Sequence, residues 1–156
     1  MKRRLSPIIF CLGIALLLFP SPRQARATLG ESVDSVESDR KALSGARRAA
    51  TARDGYTVHE VVSDANTVRE YVSSSGVVFG IAWNGLSHPD LTPLLGSYVD
   101  EYKQAAKQTP RKPGHRSLQV KANRVVVEKW GHMRNLQGRA YVPALIPPGV
   151  SVDEIK

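Results

Sequence analysis

The stretch Val68–Tyr102, VREYVSSSGVVFGIAWNGLSHPDLTPLLGSYVDEY, constrains the fold more than any other part of the chain. Val68 to Val72 alternates β-branched or aromatic residues with charged ones, and Val77 to Trp83 is a mostly apolar run. Between them Ser73-Ser74-Ser75-Gly76 is a short polar link whose glycine can take positive φ, so the pattern predicts a β-hairpin. On the second strand Val77, Phe79, Ile81 and Trp83 share one face, which is expected to meet the core. Val78, Gly80 and Ala82 share the other, small enough for another element to approach closely. Asn84-Gly85 ends the strand, and Asp90 is placed to cap a helix that tolerates Pro93 in its first turn. Leu91, Leu94, Leu95, Tyr98, Val99 and Tyr102 follow at helical spacing, with Asp100, Glu101 and Lys103 on the opposite side. Pro110 and Pro113 require the helix to end by Thr109.

The N-terminus reads as an export leader. Met1-Lys2-Arg3-Arg4 is basic, Ile8 to Phe19 is an apolar run of 12 residues, and Ala25-Arg26-Ala27 has the small-x-small form of a cleavage site. The run falls short of the roughly 20 residues that a retained span needs. Residues 1–27 are therefore expected to be a signal peptide cleaved after Ala27, which sends the protein to the periplasm or outside the cell, without a transmembrane span. The sole cysteine, Cys11, lies in that leader, and the bulky Phe10 before it disfavours lipid attachment. The mature chain then has no disulfide, thiol catalysis or cysteine metal site, and no CxxCH for haem.

The net charge of +8 overstates the basicity of the mature chain. Five basic residues belong to the leader, which leaves 17 basic against 14 acidic residues, or +3. This is no nucleic-acid signature. The distribution is uneven. Thr28 to Tyr102 holds 6 basic and 11 acidic residues, whereas Lys103 to Lys156 holds 11 basic and 3 acidic. The halves could attract one another within the fold, or the basic half could face an anionic envelope surface.

Residues 28–54 are polar, with a thin stripe of Val33, Val36, Leu43 and Ala50, and their propensities predict a loosely docked helix or arm over Glu31 to Ala52. After the Asp54-Gly55 turn, Tyr56 to Val62 and Thr67 to Val72 alternate as strands. Ser117 to Ala122, Arg124 to Trp130 and Gln137 to Val142 add further strands, beyond the basic Pro- and Gly-containing loop Thr109 to Arg116. The expected fold is α+β. One domain at 55–150 carries an antiparallel sheet of about five or six strands with one packed amphipathic helix, and 151–156 form a tail.

The segments VREYVSSSGVVFGIAWNG, PDLTPLLGSYVDEY and GHMRNLQGRAYVPALIPPGV resemble a family of small exported bacterial proteins, domain of unknown function 2844. The resemblance runs from Gly55 to Val150, and its most specific blocks are Pro89 to Tyr98 and Gly131 to Pro143. It implies a single exported domain and brings no activity, cofactor or catalytic residue.

No strong enzyme signature is present. Neither HExxH nor G-x-S-x-G occurs, and no two of His59, His88, His115 and His132 share the i, i+4 spacing of a helical metal site. No metal or cofactor is therefore expected. His59 reads as a half-exposed sheet residue, His88 as a turn ligand and His115 as solvated. Asp64, Glu70, Asp100 and Glu101 read as turn and surface acids. The residues that combine aromatic anchors with arginines able to grip carboxylates or phosphates are Trp130, His132, Arg134, Arg139 and Tyr141. The chain thus reads as a non-enzymatic envelope binding or accessory module, its partner an envelope protein or an anionic ligand and not nucleic acid. The alternatives are a small periplasmic hydrolase using His132 and a structural protein that self-associates, acidic half to basic half.

Overall fold

Two antiparallel meanders meet along one pair of strands. In the computed structural model, which describes residues 29–33, 40–41, 43–111 and 113–156, four strands lead up to the helical segment and three follow it. The first four are β1 (Ala46–Arg53), β2 (Tyr56–Val62), β3 (Asn66–Ser73) and β4 (Val78–Gly85). The helical segment comprises α1 (Leu91–Leu95), a 3-10 turn (Gly96–Tyr98) and α2 (Val99–Gln108). Then come β5 (Leu118–Lys121), β6 (Val126–His132) and β7 (Asn135–Tyr141). All pair antiparallel in the order β1-β2-β3-β4-β7-β6-β5, one sheet of seven strands.

The sheet is larger than the five or six strands expected, and the extra strand is β1. The sequence pointed to a loosely docked helix through Ala52, yet Ala46–Arg53 pairs with β2 along its length. The reason is the Asp54-Gly55 link. Arg53 pairs with Tyr56, so this link is a two-residue hairpin turn with Gly55 at φ 80°, and it folds the preceding residues onto β2 whatever their helix propensity. Residues 34–39 and 42, also within the predicted helix, lie outside the described residues. The start of the segment is firmly seated: Leu29 is fully buried and its N–H donates to the Leu94 carbonyl at 3.1 Å.

Both faces of the sheet are covered. On one face Val68, Val72, Val78, Ile81, Trp83, Val127 and Ala140 pack against Leu91, Leu94 and Leu95 of α1, with Leu29 alongside. Each Val, Leu or Ile among them contributes about 1.5–3 kcal/mol when fully buried. Asp90 caps α1, its carboxylate accepting from the Thr92 N–H at 2.9 Å, as the sequence predicts. The other face carries Tyr56, Tyr71, Phe79, Ala82, Val126 and Tyr141, over which the C-terminal segment folds as a strap. The β3–β4 register shifts between Tyr71 and Val72, opposite Val78. That irregularity makes Phe79 and Val78 exchange the faces that simple alternation gives them: Phe79 joins Ala82 on the strap side, and Val78 joins Ile81 and Trp83 on the helix side.

The strap is held at several points. Ile155 is fully buried and sits on Gly80, where a Cβ would come within 2.8 Å of its Cδ1. The small face expected for β4 thus admits another element. The Tyr71 hydroxyl donates to the Lys156 carbonyl at 2.7 Å, Tyr56 donates to the Glu154 carboxylate at 2.9 Å, and Arg139 donates to the Val152 carbonyl at 2.7 Å. Replacing Ile155 with Ala removes the buried knob, and we expect a loss of about 2 kcal/mol in urea unfolding, the low end for a core truncation because the strap can settle. An unchanged midpoint would show that the strap contributes nothing to stability.

Candidate functional site

Three of the five residues singled out by sequence lie together on the strap-side face of β6 and β7. Glu128 pairs with Arg139, Val126 with Tyr141 and Trp130 with Gln137. The Arg139 guanidinium stands 5.9 Å from the ring centroids of both Trp130 and Tyr141. It is already engaged, with Nε donating to the Glu128 carboxylate at 2.5 Å and Nη1 to the Val152 carbonyl. Arg139 therefore staples β6 and β7 to the strap. The Trp130 indole N–H donates to the Gln137 amide oxygen at 3.2 Å. His132 and Arg134 lie at the tip of the β6–β7 hairpin, both exposed. His132 pairs with Asn135, and Arg134 takes φ 63° in the intervening two-residue turn.

A groove of about 890 Å³ opens on the helix side of the same strands. Its walls are the last turns of α2, the connection that follows, and β5 with β6. The Thr109 hydroxyl closes α2 by donating to the Ala105 carbonyl at 2.8 Å, and Pro110 prevents continuation. The connection then turns at Gly114, φ 79°, and delivers Arg111, His115 and Arg116 to the groove. Lys129 enters from β6, its ammonium 5.5 Å from the centroid of Tyr102 on α2. Arg111, Arg116 and Lys129 are fixed positive charges, and no Asp or Glu is among the described lining residues. A second concavity, about 590 Å³ on the strap side, is mixed in charge, and there Arg69 is bonded to Glu60 at 3.2 Å.

The inner wall of the groove is set by His88. Trp83 lies over Gly138 of β7, so closely that a Cβ there would stand 2.3 Å from Cζ2 of the indole. From that position the indole N–H donates to His88 Nδ1 at 2.9 Å. An indole N–H can only donate, so Nδ1 must keep its lone pair and the neutral imidazole carries its proton on Nε2. Burial, and then the charge of Lys129, hold the His88 pKa below the usual imidazole value. The sequence places His88 as a ligand of its own turn; its hydrogen bond is instead with Trp83, five residues back on β4.

Two other residues differ from their sequence reading. Glu70 is fully buried and His59 is only 7% exposed; they face one another across β2 and β3. Glu70 was read as a turn or surface acid, but it shares a face with Val68 and Val72, and that two-residue phase is the signal that would have placed it inside. Among the described residues no three His, Cys, Asp or Glu side chains gather in a way that could hold a metal ion. No described helix is long and apolar enough to cross a membrane.

The lowered His88 pKa has a definite sign. Between its unfolded value, about 6.5, and its folded one, the unfolded chain binds more protons at this site, so stability rises with pH. This contribution is complete above about pH 6.5 and is lost as pH falls through the folded value. In His88→Gln the amide oxygen can still accept from Trp83 but cannot titrate. Urea midpoints measured from pH 7.5 downwards are expected to fall more steeply for the native protein than for this variant. Parallel curves would show that His88 does not titrate with folding.

No curated protein matches the chain. Among solved structures, a cysteine-rich secretory protein from Staphylococcus aureus is similar at 9% identity and a TM-score of 0.47, over 75% of this chain and 45% of that one. The chain thus spans less than half the length of that protein. The match that identifies the chain runs over residues 25–155, nearly all of the sheet, helix and strap: the protein belongs to DUF2844, a family of proteins of unknown function.

Proposed function

We propose that the protein is a non-enzymatic binding or accessory module of the cell envelope, exported with a leader removed after Ala27, and that it holds an anionic partner in the groove beside α2. The observation that carries this reading is the groove's charge: Arg111, Arg116 and Lys129 line it, with no acid among the described lining residues. Elsewhere in the fold, part-buried cations are matched by carboxylates, Arg69 by Glu60 and Arg139 by Glu128. Cations left unmatched along one concave surface favour a negatively charged partner and repel a positive one. Tyr102, Pro110 and Leu118 add apolar contact area beside the charges.

Export is supported by where the shared domain starts. The family match begins at residue 25, three residues ahead of the proposed cut, and Leu29 just beyond the cut is already part of the core. A leader ending at Ala27 would therefore leave the folded unit intact.

A cross-linking pull-down from the native envelope with tagged protein, read by mass spectrometry, tests the reading. The native groove is expected to capture a reproducible anionic partner, with Thr28 as the first residue of the recovered protein. The Arg111→Glu, Arg116→Glu double variant is expected to lose that partner, because both positions are exposed and the reversal does not touch the core. Equal capture by the variant would contradict a role for the groove.

A further inference from the structure

We propose that Lys129, His88 and Tyr102, with Arg116 beside them, form a phosphate-binding subsite within the groove, and that the ligand presents a phosphoryl group there. This rests on the groove being the binding surface, and it names the chemistry that the surface takes.

Lys129 is the anomaly that points to it. Its side chain is half-buried, yet no carboxylate stands within ion-pair distance of its ammonium among the described residues. By contrast Arg69, Arg124 and Arg139 each contact an acid, at 3.2, 3.0 and 2.5 Å. What Lys129 has is the face of Tyr102 at 5.5 Å, a weak partner that orients a cation without neutralising it. A partly desolvated cation held this way gains from an incoming anion without first breaking an ion pair.

His88 supplies a directional donor. Its Nδ1 is occupied by the Trp83 indole, so Nε2–H is the group that it can offer to the groove it lines. It does so while uncharged. Arg116, exposed on the connection above, brings a planar fork suited to two oxygens at once.

The charge count selects phosphate over carboxylate. Three fixed cations line the groove with no described acid among them, so a carboxylate of single charge leaves most of the field unanswered. A phosphate ester carries a charge of about −1.5 to −2 near neutral pH and three acceptor oxygens. An ammonium, an imidazole N–H and a guanidinium line the one groove, and the three oxygens of a phosphoryl group offer each of them an acceptor.

Isothermal titration of the full mature chain at low salt tests this with three probes: inorganic phosphate, acetate, and dextran sulfate as a long polyanion without phosphorus. Phosphate is expected to bind at least about tenfold more tightly than acetate, and Lys129→Met to weaken it by about tenfold or more, the range for removing a charged hydrogen-bonding partner. Arg116→Ala, an exposed change that spares the fold, is expected to weaken phosphate severalfold while Arg53→Ala at the strap-side concavity leaves it unchanged. If phosphate binds no better than acetate, or equally to the Lys129 and Arg116 variants, while dextran sulfate still binds, the subsite is wrong and the groove reading stands. If dextran sulfate fails to bind as well, both fall.

Discussion

The indole of Trp83 can lie against β7 only because residue 138 has no side chain. At 2.3 Å a Cβ on Gly138 would occupy the space of the ring, and at 2.6 Å it would also meet the Glu128 carbonyl of β6. That single vacancy lets the largest core side chain cross from its own strand over the seam between the two meanders. With the ring there, its N–H reaches His88, the chain between β4 and α1 is fixed, and α1 drops Leu91, Leu94 and Leu95 onto the sheet. The groove is the consequence at the other end of the helix, where α2 runs out beside β5 and β6.

The opposite face repeats the device in a smaller form. Gly80 leaves room for Ile155, and the two tyrosines flanking it, Tyr56 and Tyr71, bond the strap with their hydroxyls. β4 is therefore buried on both faces. A one-residue slip would turn Ile81 and Trp83 toward the strap, into the space that Gly80 leaves for Ile155, so the position of β4 organises the strands on either side.

How much of this could be read in the sequence follows from the range of each signal. The hairpin β3–β4, the Asp90 cap and the apolar stripe of the helix are local patterns and were legible. Gly80 and Ala82 were legible as the small part of one face of β4, though not that Ile155 would fill it, because that contact joins residues far apart in the chain. β1 was missed because Ala and Arg favour a helix in isolation, while the Asp54-Gly55 turn that overrides them acts through pairing with β2. Phe79 and Val78 were both assigned to the wrong face because a bulge breaks strict alternation, and nothing in the residues themselves marks where it falls. The groove was least legible. Its lining runs from His88 to Leu136, and its chemistry lies less in any residue present than in the lack of acids among those described once the chain has folded. The uneven charge of the two halves was legible, but not where in the fold the basic residues would gather. Among the described residues Glu101 holds Arg124 in an ion pair across the halves at 3.0 Å, while Arg111, Arg116 and Lys129 gather in the groove.

The most direct measurement is the tautomer of His88, from the nitrogen chemical shifts of its ring in a long-range proton–nitrogen correlation spectrum near pH 7.5. If Trp83 lies over Gly138 and sets the inner wall of the groove as described, His88 will show an unprotonated Nδ1 and a protonated Nε2. A proton on Nδ1, or rapid exchange between both forms, would contradict the bond from Trp83 and, with it, the placement of His88 on which the groove's inner wall depends.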